Sequence, residues 1–180
     1  MIACGAGIMN WLLPGLSTLP NSHPMFVHFP IAFWFGALLL CCLGLLIPKS
    51  SLFSVGRWLL HLGTLSGVVA ATSGYFATAA MDHAVPGHEL VHVHRNFMIA
   101  ASVLSVAASI VMCVLRRNSR TVPRLMQVAL LSVLAGVTAL GADRGAMLVF
   151  GYGMGVRTES PPTNAHGGHG DAATTEHDHK

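Results

Sequence analysis

The sequence has 180 residues, of which 53% are apolar and only 9% are charged, whereas soluble domains carry roughly 25% charged residues. Ten basic and seven acidic residues give a formal net charge of +3 with neutral histidines. This composition excludes a disordered chain, an ordinary soluble enzyme and a nucleic-acid-binding protein with a basic face. It predicts a membrane protein with one domain.

Four long apolar segments follow a short N-terminal segment. Residues 1–22 are expected to lie at the membrane interface, with Trp11 as an anchor. At 1.5 Å per residue, each apolar segment is long enough to cross a hydrocarbon core of about 30 Å as a helix. Only a helix satisfies all its backbone polar groups within one segment in lipid. The predicted spans are residues 25–47, 58–81, 96–115 and 125–142.

Short connections between the spans predict the fold class. Neighbouring helices should be antiparallel, which gives an all-α, integral membrane four-helix up-down bundle covering residues 23–156. The small residues Gly63, Gly67 and Ala71 recur every four positions and favour close helix packing. Residues 157–180 are polar, rich in histidine and low in complexity, and are predicted to be disordered.

Basic residues predict the orientation in the membrane. They concentrate in the loops 48–57 and 116–124, which contain no acidic residue. The positive-inside rule therefore assigns these loops to the cytoplasm. Both termini are then expected on the outer face of a bacterial inner membrane. The basic residues of these two loops are Lys49, Arg57, Arg116, Arg117, Arg120 and Arg124.

Histidines concentrate at the predicted outer face. Of the eleven in the chain, only His61 is expected near the cytoplasm. Since imidazole binds haem iron, zinc, copper and nickel, we expect metal chemistry at the outer face. The outer histidines are His23, His28, His83, His88, His92, His94, His166, His169, His177 and His179.

The leading hypothesis is a haem b site for electron transfer. His28 lies one turn inside the first span, where a polar ring is costly and indicates function, unless it donates to a backbone carbonyl freed near Pro30. The third span runs in the same direction as the first, so His28 and His94 are expected at similar depth. Two facing histidines suit a six-coordinate haem. We predict His28 and His94 as axial ligands, with His92 as the substitute ligand. The alternative is that His92 and His94 only anchor the end of a helix.

A second hypothesis is a binding site for copper, zinc or nickel. Residues 88–92 read HELVH, and H-E-x-x-H on a helix holds zinc in metalloproteases. Here the motif follows Pro86-Gly87 in a predicted short loop, which disfavours a protease. A non-catalytic redox or metal-binding protein is favoured over an enzyme, and a cofactor-free structural subunit is the third hypothesis. The candidate metal ligands are His88, His92, Asp143, His166, His169, His177 and His179.

Both ends of the membrane domain resemble a known bacterial family. Residues 23–32, HPMFVHFPIA, are similar to the opening HPxxVHFPIA of the domain of unknown function 2231, and residues 145–156, GAMLVFGYGMGV, resemble its ending GGxLVYxxGxGV. The resemblance implies a four-helix membrane protein with His28 in its signature. Tyr152 stands where many members carry histidine. Some relatives are joined to cytochrome-c-like domains, which implies a redox partner.

The closing segment also has a physical interpretation. Gly151, Gly153 and Gly155 alternate, and glycine disfavours helix. We therefore expect the fourth helix to stop before this segment, which should fold back over the outer mouth of the bundle.

Overall fold

A computed structural model describes residues 11–12, 22–47, 50–79, 86–115 and 121–155, and every regular element within these ranges is helical. Four helices are long and apolar enough to span a membrane. The N-terminal segment 1–22 is outside the described residues except for 11–12 and 22, and the tail 157–180 lies wholly outside them. The four helices are α1 (His23–Leu46), α2 (Ser50–Ala79), α3 (His88–Val114) and α4 (Thr121–Tyr152).

Helix α1 consists of a single turn, His23–Phe26, followed by the helix His28–Leu46. Val27 separates them, but its φ of -66° and ψ of -26° are helical, so the two parts follow nearly one axis. Pro24 lies in the first turn, where its missing N–H removes no helical hydrogen bond. The signature stretch 23–32 is therefore helical from its first residue.

Helix α3 begins well before the predicted span, and this corrects the expected loop at residues 88–92. Gly87 precedes the helix with a φ of 89°, a left-handed conformation that favours glycine. Glu89 lies in the first turn, where a negative charge complements the helix dipole. The HELVH segment accordingly forms the first turns of α3.

Helix α4 continues further than the alternating glycines indicate. It passes through Gly151 and ends only at Tyr152, and Gly153 follows with a φ of 65°. The Gly153 N–H donates to the Val149 carbonyl at 3.0 Å, which closes the helix in a left-handed cap. One glycine costs a helix only about 1 kcal/mol, and the burial of Leu148 nearby favours continuation.

The helices form a bundle in which α1 packs against α2 and α4, and α3 packs against α2 and α4. The beginning of α1 lies beside the end of α2, since His23 contacts Ala70. Further along α1, Cys41 lies beside Gly56 of α2. The core is a buried cluster made of Trp34, Ala37, Cys41, Phe53, Leu60, Ala101, Ala108, Met112, Leu131 and Leu134.

Polar side chains link the helices inside the apolar bundle. The Thr64 hydroxyl of α2 lies 2.8 Å from the Ser109 hydroxyl of α3, and it also reaches the Leu60 carbonyl at 2.9 Å. The buried Gln127 amide of α4 donates to the Phe53 carbonyl of α2 at 3.3 Å. A buried polar group is costly unless it is hydrogen-bonded, so these contacts fix how the helices pair.

Glycines of α2 make room for the largest buried side chain, Trp34. A Cβ atom at Gly63 would lie 2.5 Å from the indole, and one at Gly67 would lie 2.8 Å from it. Neither separation is tolerated without movement of the ring, which is only 3% exposed. The first two helices therefore depend on these two glycines for their close approach.

This packing generates a stability prediction. Gly63→Ala and Gly67→Ala should each destabilise the protein by about 1–3 kcal/mol, because they overpack the core against Trp34. Thermal unfolding in detergent, followed by circular dichroism, measures the change. Gly136→Ala is the matched control, since a Cβ there meets nothing within 4 Å. An equal loss in all three variants would contradict this account.

Candidate functional site

The His23 imidazole lies at the beginning of α1 and is held against the end of α2. Its Nδ1 atom is 3.0 Å from the Ala70 carbonyl oxygen and 3.1 Å from the Ser73 hydroxyl oxygen. A carbonyl only accepts hydrogen bonds, so Nδ1 carries the proton and donates it. This tautomer makes Nε2 the acceptor nitrogen of the ring.

The His94 imidazole of α3 is held in the same way against α4. Its Nδ1 atom lies 2.8 Å from the Gly141 carbonyl oxygen, so this ring also donates through Nδ1. Helices α2 and α3 run antiparallel, since Thr64 lies beside Ser109 and His61 beside Cys113, so the beginning of α3 lies at the same end of the bundle as the end of α2. The structure thus brings His23 and His94 to one end of the bundle in the same tautomer.

A glycine opposite each ring makes these contacts possible. A Cβ atom at Gly74 would lie 2.9 Å from His23 Cε1, and one at Gly145 would lie 2.9 Å from His94 Cε1. Imidazoles that bind metals usually donate their other nitrogen to a carbonyl or carboxylate, which fixes the ring and raises its basicity. The arrangement is chemically suited to present two Nε2 atoms as ligands.

His28, the expected partner of His94, lies elsewhere. Its side chain is exposed. It precedes the buried Ala37 by nine residues, or two and a half helical turns, and therefore lies on the opposite face of α1. His94 is half-buried against α4. Among the described residues, no contact joins the two rings of this predicted pair.

His88 and His92 form a second histidine pair at the beginning of α3. Their ring centroids are 4.5 Å apart, with the rings at 82° to one another. Asp143 is exposed and forms an ion pair with Arg144 at 3.0 Å. Within the described parts of the chain, no three His, Cys, Asp or Glu side chains form a metal-binding group. The predicted tail ligands His166, His169, His177 and His179 lie outside the described residues.

The end of α4 covers the beginning of α3. A Cβ atom at Gly87 would lie 2.8 Å from the Tyr152 ring and 3.2 Å from the Met154 methyl group. Tyr152 therefore stands next to the residue that precedes His88. The expected fold-back of the closing segment is replaced by a helix end that packs directly on this turn.

His61, Cys41 and Cys113 lie away from His23 and His94. The His61 Nε2 atom is 3.8 Å from the Cys113 sulfur, and its ring packs edge-on against Trp58. Cys41 is buried and accepts from the Gln127 amide at 3.2 Å. Among the described cysteines, Cys41, Cys42 and Cys113 are free thiols.

Comparison with known proteins identifies the family. The family described as a predicted membrane protein, DUF2231, matches residues 20–158. The chain belongs to the DUF2231 family. No curated protein and no solved structure matches this DUF2231 chain. The match includes His23, His94 and the four long helices, so the site described above lies within the family domain.

His23 is the site residue that sequence reasoning missed, although it opens the DUF2231 signature. The sequence favours His28 over His23 as a ligand because His28 lies deeper in the predicted span. The feature that identifies His23 as a site residue is its spacing from the buried residues of α1. His23 precedes Pro30 by seven positions and Ala37 by fourteen. Those intervals correspond to nearly two and nearly four helical turns, which puts His23 on the buried face.

Proposed function

We propose that this DUF2231 protein binds haem b between His23 and His94 and transfers electrons at the outer face of a bacterial inner membrane. The observation that carries the proposal is the pair of imidazoles at one end of the bundle, each with Nδ1 bound to a backbone carbonyl. Haem iron takes four ligands from the porphyrin and two from the protein, and two histidines meet that need. Bound haem would supply a one-electron iron couple.

The proposal replaces His28 with His23 as the first axial ligand. The exposed position of His28 on α1 disfavours it, whereas His23 shares the face of the buried residues Pro30 and Trp34. His94 keeps the role that the sequence predicted. His92 remains the substitute ligand, since it lies on the same first turns of α3.

The chain's own groups would orient the ligands and set their strength. The Ala70 and Gly141 carbonyls hold Nδ1–H, which fixes the tautomer and makes Nε2 a stronger donor to iron. The surrounding helices are apolar, and burial is one of the factors that set the reduction potential of a haem. No proton transfer is required of any side chain.

We further propose an up-down arrangement with both termini outside. The antiparallel contact of α1 with α2 supports it. Basic residues concentrated in segments 48–57 and 116–124 also support it, although residues 50–57 are the beginning of α2 and residues 121–124 the beginning of α4, rather than loops as expected. The site would then face the periplasm, where a cytochrome-c-like protein could exchange electrons with it.

The haem proposal predicts specific spectra. Full-length protein purified from cells supplied with a haem precursor should show sharp α and Soret bands in a reduced-minus-oxidised spectrum. His23→Ala and His94→Ala should each abolish the six-coordinate spectrum, because each removes one axial ligand. His28→Ala is the matched control and should retain it.

Two outcomes would contradict parts of this proposal. Loss of the spectrum in His28→Ala, together with its retention in His23→Ala, would restore His28 as the ligand. A flat spectrum from well-folded wild-type protein would remove haem altogether. If no metal ion binds either, the third hypothesis, a structural subunit without a cofactor, would then replace the haem proposal.

The second candidate function is the binding of a copper, zinc or nickel ion at His88 and His92. The 4.5 Å separation of their rings on consecutive turns of one helix favours it, since imidazole is a ligand for all three metals. The tail histidines would collect the ion for this pair. Asp143 is a weaker candidate because it is paired with Arg144.

Elemental analysis after incubation with each ion tests this candidate. His88→Ala and His92→Ala should each remove the tightly bound ion, while deletion of residues 160–180 should lower the total bound ion and leave the helical content unchanged. His61→Ala is the histidine control and should bind as the wild type does. Full binding by the double variant of His88 and His92 would refute the site.

The orientation is tested by labelling single cysteines with a membrane-impermeant maleimide, in a variant whose four native cysteines are replaced by alanine. Ser160→Cys should react in cells with a permeabilised outer membrane, because the tail is expected outside. Ser119→Cys should react only after the inner membrane is broken. The reverse pattern would invert the assignment of the basic loops to the cytoplasm.

A further inference from the structure

The buried positions of α1 recur in α3 at a constant offset of 71 residues. Both helices bury one residue in every three or four, and four of the five buried positions in α1 have a buried counterpart in α3. Ala37 and Ala108 are identical in type, while the others differ in size. The pairs are Pro30 with Ala101, Trp34 with Ser105, Ala37 with Ala108, and Cys41 with Met112.

The same offset of 71 residues relates α2 to α4. Leu60 and Leu131 are identical, and both are completely buried. A shared helical period alone would align one pair of helices, but it would not align both pairs with a single offset. The pairs are Gly56 with Gln127, Leu60 with Leu131, Gly63 with Leu134, Gly67 with Thr138, and Ala70 with Gly141.

The histidine contacts repeat at this offset as well. His23 reaches a carbonyl 47 residues later, at Ala70, and His94 reaches a carbonyl 47 residues later, at Gly141. Gly74 faces the first ring and Gly145 faces the second, each with the same 2.9 Å separation between its Cβ position and Cε1. Imidazole, carbonyl and glycine therefore form one unit that occurs twice.

The helix contacts have the symmetry that such a repeat requires. A two-fold rotation that exchanges α1 with α3 and α2 with α4 turns the α1–α2 contact into the α3–α4 contact. It also turns the α2–α3 contact into the α4–α1 contact. All four of these contacts are present.

We infer that the chain is a tandem repeat of one helical hairpin, α1–α2 and α3–α4, about a pseudo-two-fold axis. Gly74 and Gly145 are equivalent residues in this repeat, and they position the imidazoles of His23 and His94 for one centre on the axis. The repeat stands without a cofactor. The identity of the centre as haem iron rests on the proposed function. A centre with two identical protein ligands matches the symmetry of the site.

One substitution breaks the symmetry beside the rings. Ser73 corresponds to Arg144 at the offset of 71. The Ser73 hydroxyl lies 3.1 Å from His23 Nδ1, whereas the Arg144 guanidinium donates to the Leu140 carbonyl and to Asp143. The Ser73 hydroxyl is therefore an additional acceptor for His23 Nδ1, whereas the guanidinium of Arg144, which has no acceptor atom, cannot play this part for His94.

The experiment uses the full-length, haem-free protein labelled with ¹⁵N-histidine in detergent micelles. Two rings should show the Nδ1–H tautomer, and His23→Ala and His94→Ala should each remove one of these signals. Gly74→Ala should shift only the His23 signal, and Gly145→Ala only the His94 signal. Gly136→Ala, on the same helix as Gly145 but with open space around its Cβ position, should shift neither.

A haem titration supplies the second measurement. Gly74→Ala and Gly145→Ala should each weaken haem binding by about ten-fold or more, as loss of a group that orients a ligand does, whereas Gly136→Ala should bind as the wild type does. If the tautomer signals appear but no haem binds, the proposed function fails and the repeat stands. Rings that differ in tautomer in the wild type, or an effect of only one glycine on its ring, would overturn the inference whether or not haem binds.

Discussion

The close approach of α1 and α2 at glycines determines the rest of the structure. Lipid is as apolar as the helix surfaces, so association in a membrane relies on van der Waals contact rather than on burial from water. On α2, Gly56 accommodates Cys41, Gly63 and Gly67 accommodate Trp34, and Gly74 accommodates His23. The row that packs the core thus ends at the imidazole, and the position of the site follows from the packing.

The second hairpin reaches a similar packing with the side-chain volumes exchanged between helices. Trp34, Gly63 and Gly67 of the first hairpin correspond to Ser105, Leu134 and Thr138 of the second, which are all buried. Cores tolerate such exchanges when the total volume is kept. At the end of the row, however, both hairpins have a histidine facing a glycine. This retention supports a role for the two imidazoles beyond packing.

The sequence was sufficient to predict the membrane helices, but not to predict which face of each helix packs against the other helices. Length and absence of charge reveal a span, whereas residues facing lipid and residues facing other helices are both apolar, so the pattern carries little information about direction. Depth in the span is then the remaining criterion, and it favours His28, which lies on the exposed face. Helix ends were also displaced, because the effects of Gly87 and Gly153 depend on a left-handed conformation that composition does not reveal.

The spacing between each carbonyl and its glycine has a physical reason. In an α-helix, the carbonyl of residue i accepts from the N–H of residue i+4, and the Cβ of residue i+4 tilts back toward that carbonyl. Gly74 is four residues after Ala70, and Gly145 is four residues after Gly141. The missing Cβ uncovers the second lone pair of the carbonyl, and an imidazole from the neighbouring helix can donate to it at 2.8–3.0 Å. A helix can thereby orient a histidine on another helix without giving up a backbone hydrogen bond, which matters where water is absent.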